Sequence, residues 1–227
     1  MDAQLPLALR LREGFDLDSL HGADQLVAAV QALVSGDLNQ LYVHGDTGSG
    51  RTHLLSAAVR EAERRGLTAC LLPGEELGQL PPEVLEDFEH FSLIAIDNID
   101  QLAGQRDWEE ALFHLYNRCR DTEAVCLFAA RSAPAAAGFG LADLASRLAA
   151  GPVYRLPVLT EADLVALLCQ RATRRGLALN EDVAGYIVLR GERTPAALLG
   201  LLDTLDEHAL VRQRRLTIPF VKEVLGW

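Results

Sequence analysis

The chain has 227 residues, enough for one α/β domain and a small appendage, and 49% of them are hydrophobic but only 6% aromatic. This composition favours a helix-rich α/β protein over a β-sandwich. The formal net charge of −11 argues against a broad nucleic-acid-binding surface, so we expect contact with DNA to be indirect. Four separated cysteines lack metal-ligand spacing, and no run reaches the roughly 18 apolar residues of a membrane span. We therefore expect reduced thiols, no membrane contact and a cytoplasmic location.

Apolar runs alternate with segments of helical periodicity over the first two thirds of the chain. The predicted strands are residues 39–45, 67–74, 92–97, 124–132 and 153–159. The predicted helices around them are residues 22–36, 52–66, 81–91, 107–121 and 141–150. This alternation predicts a five-stranded parallel sheet covered on both faces. The strand signal then ends, and amphipathic segments predict an all-helical domain from residues 160–179, 180–191, 194–215 and 217–227.

The stretch GDTGSGRTHLL, which follows the first predicted strand, has the glycine spacing of a phosphate-binding loop. In such a loop the backbone N–H groups and the N-terminus of the next helix surround the phosphates. Arg51 stands where lysine is expected, in a chain whose only lysine is Lys222, and its wider planar group should favour binding over catalysis. The alternative is a glycine-rich connector without a ligand. The predicted nucleotide-binding residues are Gly45, Asp46, Thr47, Gly48, Ser49, Gly50, Arg51, Thr52 and His53.

Asp97 ends the apolar strand in LIAIDNID and is the predicted partner of Thr52 in holding Mg²⁺. The alternative is an aspartate that caps a helix or a turn. Asn98 follows it, and a neutral amide cannot act as a general base. Asp100 is close in sequence, although its side chain need not face the site. The pattern predicts a site that holds ADP or ATP and hydrolyses it weakly or not at all.

Together these motifs resemble the AAA+ ATPases, in the branch of the replication initiator DnaA and its short homologue Hda. The resembling stretches are GDTGSGRTHLL, LIAIDNIDQLAG with EEALFHLYNR, LADLASRL and RRLTIPFVKEVL. They span nearly the whole chain, and the set in this order is more specific than any single motif. The resemblance implies a P-loop AAA+ domain followed by a helical lid.

The resemblance also implies that Arg147 is an arginine finger, which acts on the nucleotide of a neighbouring subunit. The alternative is a surface arginine paired with Asp143 one turn earlier. The two sensor positions of the family depart from the usual pattern. Arg131 or Ser132 stands at the first, and the second falls near Ala196, with Arg193 displaced by one turn.

The N-terminal QLPLAL resembles the peptide by which Hda and other replication proteins bind the DNA polymerase III sliding clamp. Gln4 would offer its amide, and Leu5, Leu7 and Leu9 would be apolar anchors. The alternative is a terminal strand packed on its own domain. The expected divisions are a clamp-binding segment 1–12, an AAA+ domain 13–159 and a lid 160–227.

The resemblance implies a negative regulator of replication initiation. It would bind the DNA-loaded clamp and stimulate hydrolysis of the ATP bound to DnaA, while its own nucleotide acts mainly as a structural ligand. Since Trp227 follows directly after the predicted lid, we expect a protein without the DNA-binding domain of an initiator. Two alternatives stay open: a self-contained AAA+ ATPase such as a helicase loader or remodelling subunit, and a non-catalytic clamp adaptor. Self-association into a homo-oligomer also stays open.

Overall fold

The elements follow one another as an α/β unit and then a set of helices. The computed structural model describes Leu17 and residues 24–156, 158–212 and 214–227. Its strands are β1 (Gln40–His44), β2 (Ala69–Pro73), β3 (Leu93–Asp97), β4 (Val125–Ala130) and β5 (Val153–Arg155). Its α-helices are α1 (Asp24–Val34), α2 (Arg51–Arg64), α3 (Gly74–Leu77), α4 (Arg106–Asp121), α5 (Ala142–Ala149), α6 (Glu161–Arg174), α7 (Glu181–Arg190), α8 (Pro195–Arg212) and α9 (Ile218–Leu225). The predicted α/β class, with a helical lid after the sheet, is confirmed.

The strands form one sheet in the order β2-β3-β4-β1-β5, and each neighbouring pair is parallel. The carboxyl ends of parallel strands share one edge of a sheet, which is where ligands bind in open α/β folds. The segments after β1, β2 and β3 are therefore brought to the same edge.

Successive strand residues alternate between two apolar clusters, one on each face of the sheet. Leu41 and Val43 pack in the cluster that includes α1 and α2, whereas Tyr42 packs in the cluster beneath α4 and α5. The helices α6–α9 surround a third cluster of their own, which includes Leu168, Ile187 and Phe220. The lid thus has its own hydrophobic core.

Residues 81–91, predicted as a helix, instead form two 3₁₀ turns, Pro82–Leu85 and Phe88–His90. Between the turns Glu86 is extended, with ψ 141°, and Asp87 lies in the left-handed region, with φ 67°. Neither conformation continues a right-handed helix. The short helix α3 is absent from the prediction, and β5 ends at Arg155 instead of residue 159.

Candidate functional site

The predicted phosphate-binding loop joins β1 to α2 at the carboxyl edge of the sheet. Gly48 and Gly50 have φ of 83° and 91°, a region that glycine enters without steric cost. Gly50 is the N-cap of α2, so the helix begins at Arg51. The loop therefore directs the start of a long helix towards the edge where a ligand would bind.

The loop is packed closely against two later parts of the chain. A Cβ at Gly45 would lie 2.7 Å from Ser49 Oγ and 3.2 Å from the Cβ of Leu156. A Cβ at Gly48 would lie 2.9 Å from Cγ2 of Thr194, just before α8. The lid thus contacts the phosphate-binding loop directly.

Two polar groups of the loop are buried without a hydrogen-bond partner among the described residues: Ser49 Oγ and Arg51 Nη1. Arg51 is only 9% exposed. A buried donor or charge that lacks an acceptor is costly, and phosphate oxygens are suitable acceptors for both groups. The residues present therefore fit a bound nucleotide phosphate.

The two predicted Mg²⁺ ligands lie together. Thr52 Oγ1 donates to Asp97 Oδ2 at 2.5 Å, and the backbone N–H of Asn98 donates to Asp97 Oδ1 at 2.9 Å. Burial raises the pKa of Asp97, although the bond from Thr52 and the positive charge of Arg51 act in the opposite direction. A hydroxyl and a carboxylate side by side suit a hard cation such as Mg²⁺, so these side chains fit the ion.

Asn98 has a carboxylate beside it that the sequence did not single out. Its backbone is left-handed, with φ 48°, and its Nδ2 donates to Oε1 of Glu75 at 2.9 Å. A Cβ at Gly74 would lie 2.3 Å from the carbonyl oxygen of Asn98, so only glycine permits the start of α3 to approach the residue after β3 this closely. The signal that could have found Glu75 is its place just after a strand of the same sheet.

Asp100, in the 3₁₀ turn Ile99–Leu102 after β3, lies close enough to Tyr42 of β1 for its charge to act on that side chain. Burial and the negative charge of Asp100 raise the pKa of Tyr42, while the charge of Arg51 lowers it. The hydroxyl of Tyr42 donates to the carbonyl oxygen of Ser132 at 3.0 Å. Ser132 is one of the two candidates for the first sensor. Through its backbone carbonyl it anchors the segment just after β4 to β1.

Arg147 lies on α5 and is half-buried. Within the described residues it forms no ion pair with Asp143, the partner that the alternative interpretation required. Its charge instead acts on Tyr116 of α4, where it opposes the rise in pKa that burial causes. The guanidinium is thus not held by its own helix, and its role as a finger stays a prediction.

The remaining predicted residues have other surroundings. Arg131 is exposed, and Arg193 pairs with Glu161 of α6 at 3.7 Å between Nη2 and Oε2. His53 is buried, and Asp46 is exposed and lies 3.9 Å from Nη2 of Arg155. The side chain of Ala196 is not among the described ones, and the segment with Gln4, Leu5, Leu7 and Leu9 lies outside the described residues.

Comparison with known proteins agrees with this architecture. Residues 161–225 match the family model described as Hda, lid domain. Domain III of the replication initiation protein DnaA from Thermotoga maritima superposes with a TM-score of 0.77 and 19% identity, over 93% of this chain and 95% of that one. The predicted resemblance is confirmed: the chain is Hda-like in its lid and DnaA-like in its fold.

Two further solved structures have the same fold. AMPPCP-bound DnaA from Aquifex aeolicus matches with a TM-score of 0.70 and 20% identity, over 84% of this chain and 64% of that one. The RuvB Holliday junction branch migration motor from Thermotoga maritima matches with a TM-score of 0.69 and 18% identity, over 95% and 72%. None of the helices in the described part of the chain has the length and apolar character needed to cross a membrane.

Proposed function

We propose that this protein is a DnaA-related regulator of replication initiation, which promotes hydrolysis of the ATP bound to DnaA. The observation that carries the proposal is the match of α6–α9 to the lid domain of Hda, on a chain with the fold of DnaA domain III. A lid of this kind on a DnaA-like domain is expected in a protein that pairs with DnaA.

The protein's own site is proposed to hold ADP or ATP with Mg²⁺ as a structural ligand. Ser49 and Arg51 would bind phosphate oxygens, because each has a buried polar atom that no described residue hydrogen-bonds. Thr52 and Asp97 would hold Mg²⁺, which supplies positive charge beside the phosphates. Asn98 offers only an amide at the next position, so the site binds nucleotide more readily than it activates water.

Arg147 is proposed to act in trans on the nucleotide of DnaA. An arginine finger neutralises negative charge that develops on the transferred phosphoryl group, an effect of about 10³ to 10⁵ in rate. A guanidinium engaged by Asp143 would first have to be released, and the described residues form no such pair. Arg147 is therefore free to pair with a phosphate across an interface.

The segment 1–12 is proposed to attach the protein to the sliding clamp through Gln4, Leu5, Leu7 and Leu9. Support for this step comes from the sequence QLPLAL alone. With a net charge of −11, the protein would reach DNA through the clamp and not through its own surface.

The test is ATP hydrolysis by purified DnaA in the presence of this protein and DNA-loaded clamp, beside reactions that omit each component. We expect turnover in the full mixture only. Arg147→Ala should lower the stimulation by a factor on the order of 10³ and leave clamp binding intact. Arg106→Ala is the matched control, since Arg106 is exposed and pairs with Glu110.

Each alternative predicts a different outcome of the same assay. A self-contained ATPase would hydrolyse ATP without DnaA. A non-catalytic adaptor that carries Arg147→Ala would still stimulate hydrolysis of DnaA-bound ATP fully. Gln4→Ala tests the N-terminal segment separately, since it should abolish clamp binding without changing nucleotide affinity. Full stimulation by Arg147→Ala would contradict the proposed role of the arginine.

A further inference from the structure

We propose that Glu109 and Gln40 are positioning residues for Arg147, because they hold the two ends of the helix that carries it. Both are buried polar side chains that the sequence did not single out, at 2% and 5% exposure. The inference rests on the proposed function, since a helix held in place matters most if Arg147 must meet a phosphate.

Glu109 holds the N-terminal end of α5 from the first turn of α4. Its Oε1 accepts hydrogen bonds from the backbone N–H groups of Gly140 at 3.0 Å and Gly104 at 2.7 Å. Its Oε2 accepts from the N–H of Leu141, the N-cap of α5, at 2.6 Å. Burial alone would raise the pKa of Glu109, but these three donors hold it below its ordinary range. The group is therefore a charged acceptor at the positive end of a helix dipole.

Gln40 holds the C-terminal end of the same helix from the start of β1. Its Nε2 donates to the carbonyl oxygens of Arg147 at 2.9 Å and Leu148 at 3.4 Å. These are among the last carbonyl groups of a helix, which have no i+4 partner within the helix itself. The carbonyl oxygen of Arg147 also accepts from the N–H of the C-cap residue Ala150 at 3.1 Å. A Cβ at Gly151 would lie 2.4 Å from Cγ of Gln40, so glycine makes room for the side chain.

The eight residues of α5 are too few for a helix that is stable without tertiary contacts. Leu144 and Leu148 pack into the core, but apolar contacts alone restrict the rotation and translation of α5 only loosely. The hydrogen bonds at both ends of the helix add the missing restraint. Glu109 also bonds Gly104, which follows the turn after β3, so one carboxylate joins α5 to the segment beyond Asp97.

The experiment compares Glu109→Gln with Glu110→Gln in the assay of DnaA-bound ATP hydrolysis. The amide keeps the size of the side chain but cannot accept at both oxygens, whereas Glu110 is the adjacent residue and pairs with Arg106. We expect Glu109→Gln to lower the maximal stimulated rate by about 10- to 100-fold, the cost of a displacement of about 1 Å. The DnaA concentration at half-maximal rate, clamp binding and ADP affinity should not change.

Gln40→Leu is a second variant that reaches the same helix from the other end and keeps the buried volume. It should lower the maximal rate in the same way, without a change in half-saturation. Full stimulation by both variants would overturn the proposal. So would a weaker apparent affinity for DnaA at an unchanged maximal rate, because that result would assign these residues to binding.

Amide hydrogen exchange separates this proposal from the proposed function. In Glu109→Gln the N–H groups of Gly104, Gly140 and Leu141 should lose protection, whereas Glu110→Gln should leave them protected. If the wild-type protein does not stimulate DnaA, the proposed function fails, but the exchange comparison still tests the restraint. Unchanged protection of these three groups would overturn it.

Discussion

At the scale of single residues, Arg51 stands where a phosphate-binding loop ordinarily has lysine, and its Nη1 is buried without a partner among the described residues. If it binds phosphate, Arg51→Ala removes a charge-assisted hydrogen bond worth about 1.5–3 kcal/mol, or roughly 10- to 150-fold in affinity. Arg51→Lys should lose much less, since the charge remains. Calorimetric titration with ADP and Mg²⁺ measures both losses.

Arg64→Ala is the matched control, because Arg64 lies on the same helix, pairs with Glu61 and has a side chain that is 72% exposed. It should bind ADP as the wild type does. Equal ADP affinity of Arg51→Ala and Arg64→Ala would remove Arg51 from the nucleotide site.

The residues that local pattern could predict are those on the loop and at the end of β3. Glycine spacing and an apolar run that ends in Asp97 are properties of short segments, and the structure brings Thr52 and Asp97 together as expected. Glu75, Glu109 and Gln40 have no such signal, because their partners lie 23, 31 or 32, and 107 or 108 positions away, apart from Gly104, which lies five positions before Glu109. Their roles depend on strand order and helix packing, which the sequence pattern does not specify.

At the scale of elements, the lid helices α6 and α7 begin in chemically different ways. Thr160 forms a reciprocal capping box with Asp163, whereas Asn180 occupies the N-cap of α7 without a side-chain hydrogen bond. Thr160→Ala should therefore cost about 0.5–2 kcal/mol of unfolding free energy. Asn180→Ala is the control and should lower the unfolding free energy by only a few tenths of a kcal/mol. Urea unfolding at an unchanged m-value measures the difference, and equal losses would contradict it.

The strands β1–β4 were predicted well because each is a short, largely apolar run, as buried parallel strands require. The edge strand β5 has only three residues, two of them exposed, and was predicted too long. The segment 81–91 was predicted wrongly because its apolar residues have helical spacing although its backbone does not form one continuous helix. Leu85 is buried beneath α4, so burial is satisfied by a 3₁₀ turn as well as by a helix. The left-handed backbone of Asp87 then prevents the turn from continuing as a helix. The residue types of this stretch do not predict that conformation.

At the scale of the whole molecule, the contact between Gly48 and Thr194 joins the phosphate-binding loop to the lid. Gly48→Ala should be costly for two reasons: φ is 83°, and the added Cβ would lie 2.9 Å from Cγ2 of Thr194. Gly36→Ala is the control for backbone strain, since Gly36 has φ 81° but no atom of the described residues within 4 Å of an added Cβ. Gly36→Ala should cost about 1–2 kcal/mol from strain alone, and Gly48→Ala about 1–3 kcal/mol more from crowding.

Thr194→Ser separates crowding from strain, because it removes Cγ2 and keeps the hydroxyl that accepts from the N–H of Ala197 at 3.3 Å. In the double variant Gly48→Ala/Thr194→Ser, the loss of unfolding free energy should approach that of Gly36→Ala, because the nearest remaining atom at position 194 is Cβ, at 3.3 Å. ADP affinity should recover in parallel, because a lid displaced by the Cβ would change the loop that binds phosphate. If the serine restores neither quantity, the lid does not rest on the loop at Gly48, and nucleotide and lid position are not linked through this contact.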